Sequence, residues 1–197
     1  MFGFLLVFSV AGGQQTFVYT DPNAAYRKGV ELFEEKNYAS ARRQFEKIYE
    51  QRLDNTASKN TLLFTEVEYM IAVSAAENND VDAEPLLFNF LQNHSDSHRS
   101  AYINFYLGRY YYMNNKYQEC IDQLAKLSAD EIPDKYRTDY KFQLGYCYFV
   151  KKKFDEAKPL FKAIKDIKEK YYYPSNYSYA FICFYKKEYN EALKSFS

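Results

Sequence analysis

Residues 108–127 read G-R-Y-Y-Y-M-N-N-K-Y-Q-E-C-I-D-Q-L-A-K-L. The stretch is the end of one helix, an Asn-Asn-Lys turn and a second, amphipathic helix. Its pattern recurs along the chain. Counting from Gly108, the landmarks are Tyr117, Cys120, Leu124 and Leu127. The same offsets give Gly145, Phe154, Ala157, Phe161 and Ile164, and, nearer the N-terminus, Gly29, Tyr38, Ala41, Phe45 and Ile48. A further set is Ala180, Tyr189, Ala192 and Phe196. The remaining one, Ala72, Val81, Glu84, Phe88 and Leu91, departs from the pattern: Glu84 stands where a small residue is expected, and Pro85 follows it. The residue after the turn falls at 38, 81, 117, 154 and 189, in steps of 43, 36, 37 and 35. Such a period marks stacked units that each bury an apolar face against their neighbours.

Each landmark has a physical role. The small anchor lets two helices approach closely, and the aromatic after the turn closes over the hairpin. A small residue, then a large one four later, makes the inner stripe of the second helix. Asp21-Pro22 supplies an N-cap and a first-turn proline. The pattern predicts helices over 22–35 and 38–52, 59–77 and 81–93, 98–113 and 117–128, 134–150 and 154–170, and 175–185 and 189–197. Polar or proline-bearing breaks lie at 54–58, 93–97, 129–133 and 173–175. The fold class expected is all-α.

Five units of this length and pattern resemble the tetratricopeptide repeat (TPR) family, in its bacterial envelope style, over residues 22–197. The repeats would span about 22–53, 59–93, 98–128, 134–170 and 174–197, the last incomplete. The resemblance implies a right-handed α-solenoid whose first helices line a concave groove. Three residues before the anchor, that groove would receive Tyr26, Tyr69, Phe105, Phe142 and Tyr177. Four after it come Phe33, Ala76, Tyr112, Phe149 and Phe184, and directly after it Val30, Val73, Arg109, Tyr146 and Phe181. The candidate partner-binding residues are therefore Tyr69, Phe105, Arg109, Tyr112, Phe142, Tyr146, Phe149, Phe181 and Phe184. Rigid rings in a groove suit a peptide or helix. The competing reading is that these rings pack between repeats. Tyr111 and Tyr148 are expected between helices, as packing residues. Chaperone-binding members of the family hold an acidic tail with Lys, Asn and Arg. Here Val30 and Val73 stand at corresponding positions, so that partner is not expected.

Composition excludes some classes. Lys and Arg number 26 against 26 Asp and Glu, so the formal net charge is zero and bulk electrostatic binding of nucleic acid is not expected. Aromatic residues are 20% of the chain, with 22 Tyr and no Trp, which suits helices that bury a ring and keep a hydroxyl wet. There is no G-x-S-x-G, P-loop, H-E-x-x-H or Rossmann glycine pattern, so no enzyme activity and no cofactor are expected. His94 and His98 flank Asp96 in a stretch that reads as a turn, so no metal site is expected. Cys120, Cys147 and Cys183 read as small core residues, with a Cys120–Cys147 bridge as the lesser reading. Lys151, Lys152 and Lys153 open a basic stretch, and Lys158, Lys162, Lys165 and Lys168 would share one helix face. Residues 31–84 carry 12 acids and 6 bases, so charge drifts from acidic to basic along the array. That drift suits either solvated helix faces or steering of a partner.

Residues 1–13 hold an apolar run ending in Ala11-Gly12-Gly13, which fits a signal-peptidase site although no Lys or Arg precedes it. Residues 14–21 are a lead-in. The last helix lacks a polar cap, which implies a chain that continues past Ser197. The function expected is a non-enzymatic scaffold for a protein or peptide partner. Its expected location is the periplasm or outer membrane of a Gram-negative bacterium, within an envelope-associated complex. Two other readings stand beside it: the sensory region of a longer signalling protein of histidine-kinase type, and a glycan-binding outer-membrane protein resembling SusD.

Overall fold

The structure, a computed structural model, describes residues 22–54, 61–96 and 98–196. The expected export segment and lead-in, 1–13 and 14–21, lie outside the described residues. The helices come in five pairs: α1 (Pro22–Glu34) and α2 (Tyr38–Asp54), α3 (Thr61–Glu77) and α4 (Ala83–Asn93), α5 (Ser100–Met113) and α6 (Tyr117–Leu124), α7 (Asp134–Val150) and α8 (Phe154–Lys162), and α9 (Tyr172–Tyr185) and α10 (Tyr189–Phe196). Each first helix packs on its own second helix and on the second helix of the pair before it. The first helices α3, α5, α7 and α9 also touch one another in series, whereas α4, α6 and α8 share no comparable contact. That asymmetry makes the row of first helices the inner layer of an α-solenoid of TPR type.

The anchors work by absence of side chain. A Cβ on Gly29 would stand 2.6 Å from the Phe45 ring, and one on Gly108 would stand 2.4 Å from Leu124. Gly145 is looser, with Leu160 Cβ at 3.2 Å and the Phe161 ring at 3.3 Å. Phe45, Leu124 and Phe161 are each fully buried. All three stand sixteen residues after their anchor, the offset at which the repeat alignment places a large side chain.

Every first helix ends in the same way. Lys36, Asn79, Asn115, Lys152 and Lys187 adopt left-handed backbone, with φ between 57° and 63°. Each lies seven residues after its anchor. The amide of Lys152 donates to Phe149 O at 2.9 Å and that of Lys153 to Tyr148 O at 2.9 Å; the other four turns repeat both bonds. This is the Schellman arrangement, which satisfies the last carbonyls of a helix and favours glycine at the left-handed position. Lysine carries a Cβ there at a cost. Lys152→Gly should stabilise the protein by about 0.5–1 kcal/mol and Lys152→Val should destabilise it. Urea melts of the two variants measure the effect, and equal midpoints would contradict it.

The second repeat corrects the alignment by one residue. Ala83, Leu87 and Phe90 are the buried stripe of α4, while Val81 is 95% exposed and Phe88 39%. Pro85 accounts for the shift. It lacks an N–H, so it is comfortable only in the first turn of a helix. Starting α4 at Ala83 makes Pro85 the third residue. Glu84 then leaves the core and accepts hydrogen bonds from the Tyr111 hydroxyl at 2.8 Å and Lys116 Nζ at 3.0 Å. The spacing of Ala83, Leu87 and Phe90 matches that of Ala41, Phe45 and Ile48, so the signal was present one place along.

Two second helices are shorter than expected. α6 stops at Leu124 and α8 at Lys162. Leu127 and Ile164 still reach the core, at 7% and 1% exposure, through tight turns. The carbonyls released by the early ends find partners in the next repeat. The Tyr140 hydroxyl donates to Leu127 O at 2.7 Å, and Asn176 Nδ2 to Lys165 O at 2.5 Å. One consequence concerns the lysines: Lys165 and Lys168 lie beyond α8, so the four do not share one helix face. Lys158 pairs with Glu188, and Lys165 with Asp166 at 2.8 Å. At α9 the correction is in the other direction. The helix begins at Tyr172, and Pro174 occupies its first turn, where no amide is needed.

Candidate functional site

The inner face is built by α3, α5, α7 and α9. Along it runs a ladder of rings. Tyr112 of α5 meets Tyr146 of α7 edge-on at 5.8 Å between centroids. Tyr146 stacks with Phe149 at 6.5 Å, and Phe149 meets Phe181 of α9 at 5.3 Å. The helical spacing explains the ladder. The position four after one anchor touches the position one after the next anchor. Tyr112, Tyr146 and Phe149 are half-buried, so each offers an edge or face to solvent. Phe181 is 39% exposed. Burial pushes the Tyr112 hydroxyl pKa up to about 12.

Three candidates do not line this face. Tyr69, Phe105 and Phe142 are 6%, 0% and 5% exposed. Their position, three before the anchor, lies under the next repeat. Tyr69 packs on Tyr106 at 6.5 Å, Phe105 on Tyr136 at 5.4 Å, and Phe142 stacks on Tyr171 at 4.1 Å. These are packing rings, as the competing reading held. Phe184 departs in the opposite sense. It is 61% exposed, with its ring 5.7 Å from Tyr189. Of the two packing controls, Tyr111 is 4% exposed, and Tyr148 is half-buried.

Arg109 occupies the middle of the inner face and carries a feature that no sequence pattern marked. Its Nη2 lies 3.1 Å from Glu77 Oε2 of α3, and its Nη1 lies 3.9 Å from Asp139 Oδ2 of α7. Three successive first helices are thus joined by one guanidinium. Asp139 also accepts from the Tyr171 hydroxyl and from Lys170 Nζ, the latter at 3.4 Å. The Glu77 side chain is 4% exposed. Burial raises its carboxyl pKa, and the Arg109 charge pulls it back down. Burial also lowers the guanidinium pKa, and the Glu77 and Asp139 carboxylates more than restore it. Glu77 is five residues after its anchor and Asp139 six before its own. Acids recur at those offsets, as Glu34 and Glu66, but Arg109 alone is a cation directly after its anchor, so periodicity could not flag the network.

The other candidate chemistry is dispersed. His94 Nε2 lies 2.5 Å from Glu68 Oε2, while His98 Nε2 is 3.9 Å from Glu66 Oε1. Arg99 holds the same Glu66 at 2.6 Å and lies over the Tyr69 ring at 4.7 Å. Among the described residues no three His, Cys, Asp or Glu side chains stand together as a metal would require. Cys120, Cys147 and Cys183 are buried free thiols. The hydrogen bond that the Cys120 thiol donates to Cys147 Sγ, together with burial, raises the pKa of Cys120. Val30 is half-buried and Val73 is 1% exposed, so two apolar side chains occupy the expected clamp positions.

No family model and no curated protein matches this chain. Solved structures do. MamA of AMB-1 superposes with a TM-score of 0.64 over 89% of this chain and 87% of that one, at 20% identity. MamA of MSR-1 gives 0.62 over 89% and 92%, at 19% identity. The nearly identical TPR-like repeats of a Podosopora anserina kinesin light chain give 0.59 over 89% and 93%, at 16% identity. The fold is that of these TPR-type solenoids.

Proposed function

We propose that the chain is a non-enzymatic scaffold that binds a polypeptide along the inner face, on the rings of Tyr112, Tyr146, Phe149 and Phe181 beside Arg109. The observation that carries this reading is the continuous, partly open ladder those four rings form across three repeats. Rings fixed by their neighbours anchor a partner at small entropic cost. The zero net charge turns the reading toward protein rather than nucleic acid.

Affinity capture from an extract of the source cells, with wild type and variants, tests it. Phe181→Ala and Tyr146→Ala are each expected to weaken a retained partner by about 1–3 kcal/mol. Tyr111→Ala and Tyr148→Ala should lower the melting temperature and leave the partner bound. If Phe181→Ala and Tyr146→Ala retain every partner, the rings serve packing alone.

The location proposed is the bacterial envelope, on the strength of the apolar run closed by Ala11-Gly12-Gly13. Mass spectrometry of the mature N-terminus is expected to find residues 1–13 removed. An intact Met1 on cytosolic protein would overturn export.

A further inference from the structure

The chain has three cysteines, and two of them meet across a repeat junction. Cys120 is on α6 of the third repeat and Cys147 on α7 of the fourth, and these helices pack on each other. Both thiols are free, fully buried and part of the same apolar core. The thiol of Cys120 donates to Cys147 Sγ, so no other side chain separates the two sulfurs. Cys120 stands twelve residues after Gly108, where other repeats carry Ala41, Ala157 and Ala192. A side chain that small at a packed junction keeps two helix backbones close, and a disulfide needs Cα atoms within about 7 Å. Cys183 lies in a different part of the core, with Tyr179 and Glu188 beside its sulfur.

We propose that Cys120 and Cys147 are a redox pair, which a disulfide oxidant closes into a bond that staples the third repeat to the fourth. The exchange has two steps. One thiolate of the pair attacks a sulfur of the oxidant RSSR and expels RS⁻. The second thiolate attacks the mixed disulfide and expels the other RS⁻. Two S–H bonds and the oxidant's S–S bond break, one protein S–S bond and two RSH form, and the pair gives up two electrons. Neither sulfur is reachable in the closed array, and burial favours the neutral thiol. The reaction therefore passes through a local opening. Repeats touch only their neighbours, so an array parts between adjacent units. Parting α6 from α7 frees both thiols at once. The pair lies near the Tyr112 hydroxyl, and Tyr112 meets Tyr146 across the same junction. Closing the bond fixes the spacing of those two rings. The redox pairing itself does not rest on the groove reading.

The test incubates the full chain with oxidised glutathione in urea below the unfolding midpoint. The reaction is quenched in acid, the remaining thiols are capped with a maleimide, and the product is read by mass spectrometry. A single cap is expected, on Cys183, together with a proteolytic fragment that joins Cys120 to Cys147. Cys183→Ser should keep the bridge. Cys120→Ala and, separately, Cys147→Ser should abolish it. Alanine is the residue that other repeats carry at the position of Cys120, and circular dichroism checks that both variants fold. The oxidised chain should unfold at a higher urea concentration than the reduced chain. Four results would overturn the proposal. One is three capped thiols or glutathione adducts alone. Another is a bridge that uses Cys183. The third is a bridge that forms only above the midpoint, when the whole chain is unfolded. The last is a lower urea midpoint for the oxidised chain, which would mean that the junction does not accommodate the bond.

Discussion

Arg109→Met should cost about 3–5 kcal/mol of stability at neutral pH, because it leaves the Glu77 carboxylate buried without its counter-charge. The Glu77 side chain is only 4% exposed and takes its ion pair from Arg109 at 3.1 Å. The pH dependence identifies the cause. The folded-state pKa of Glu77 is raised above its ordinary value, with burial the main contribution. A carboxyl with a raised folded pKa contributes stability that is fully present below its unfolded pKa, near about 4.3. That contribution is lost as pH rises through the folded value. Removing Arg109 removes the charge that holds the folded value down, so the upward shift grows. The variant should therefore regain stability relative to wild type as pH falls toward the carboxyl range. Glu77→Leu placed on top of Arg109→Met should restore most of the loss, since two apolar residues replace a broken pair. Denaturant melts of the single and double variants at two pH values decide it. A loss independent of pH and not rescued by Glu77→Leu would show that Arg109 acts through packing instead.

Gly108→Ala should destabilise while Gly145→Ala should not. Two effects compete at each site. Alanine in place of glycine inside a helix gains about 1 kcal/mol of propensity. Against that, an added methyl in a packed junction costs about 1–3 kcal/mol where neighbours cannot move. At Gly108 the new Cβ would meet Leu124 at 2.4 Å, and Leu124 is fully buried, so the clash wins. At Gly145 the nearest atom is Leu160 Cβ at 3.2 Å, and Leu160 is only half-buried. A shift of a few tenths of an ångström relieves that contact, so the propensity gain offsets or exceeds the cost. Thermal melts of the two variants should move in opposite directions, or leave Gly145→Ala unchanged. Equal destabilisation of both would mean that the repeats pack more uniformly than these distances imply.

These two predictions differ in how they could have been found. The Gly108 contact was legible in the chain: Leu124 stands at the offset where the repeat alignment puts a large residue opposite the anchor. The Arg109 network was not. Arg109 fell on the inner face by its place after the anchor, but no other anchor is followed by a cation, so nothing periodic paired it with Glu77 and Asp139. They meet it only because three first helices are laid side by side. The groove candidates divide along the same line. Periodicity placed Tyr69, Phe105 and Phe142 on a face of their helices, but could not say whether the next repeat covers it. The junctions do cover it, and those rings went into the core. Tyr112, Tyr146 and Phe149 stayed half-buried.

The sequence by itself determined the number of repeats, their anchors, the turn between paired helices and the pairing of small with large residues. All of these are contacts within one hairpin, where spacing along the chain sets distance in space. Only the tertiary structure decided where α6 and α8 stop, how α4 shifts to accommodate Pro85, which rings are sealed and which remain open, and how Arg109 is held. Those outcomes depend on the angle and distance between neighbouring hairpins. That geometry is set by the summed packing of side chains from two or three repeats at once, which no single period along the chain records.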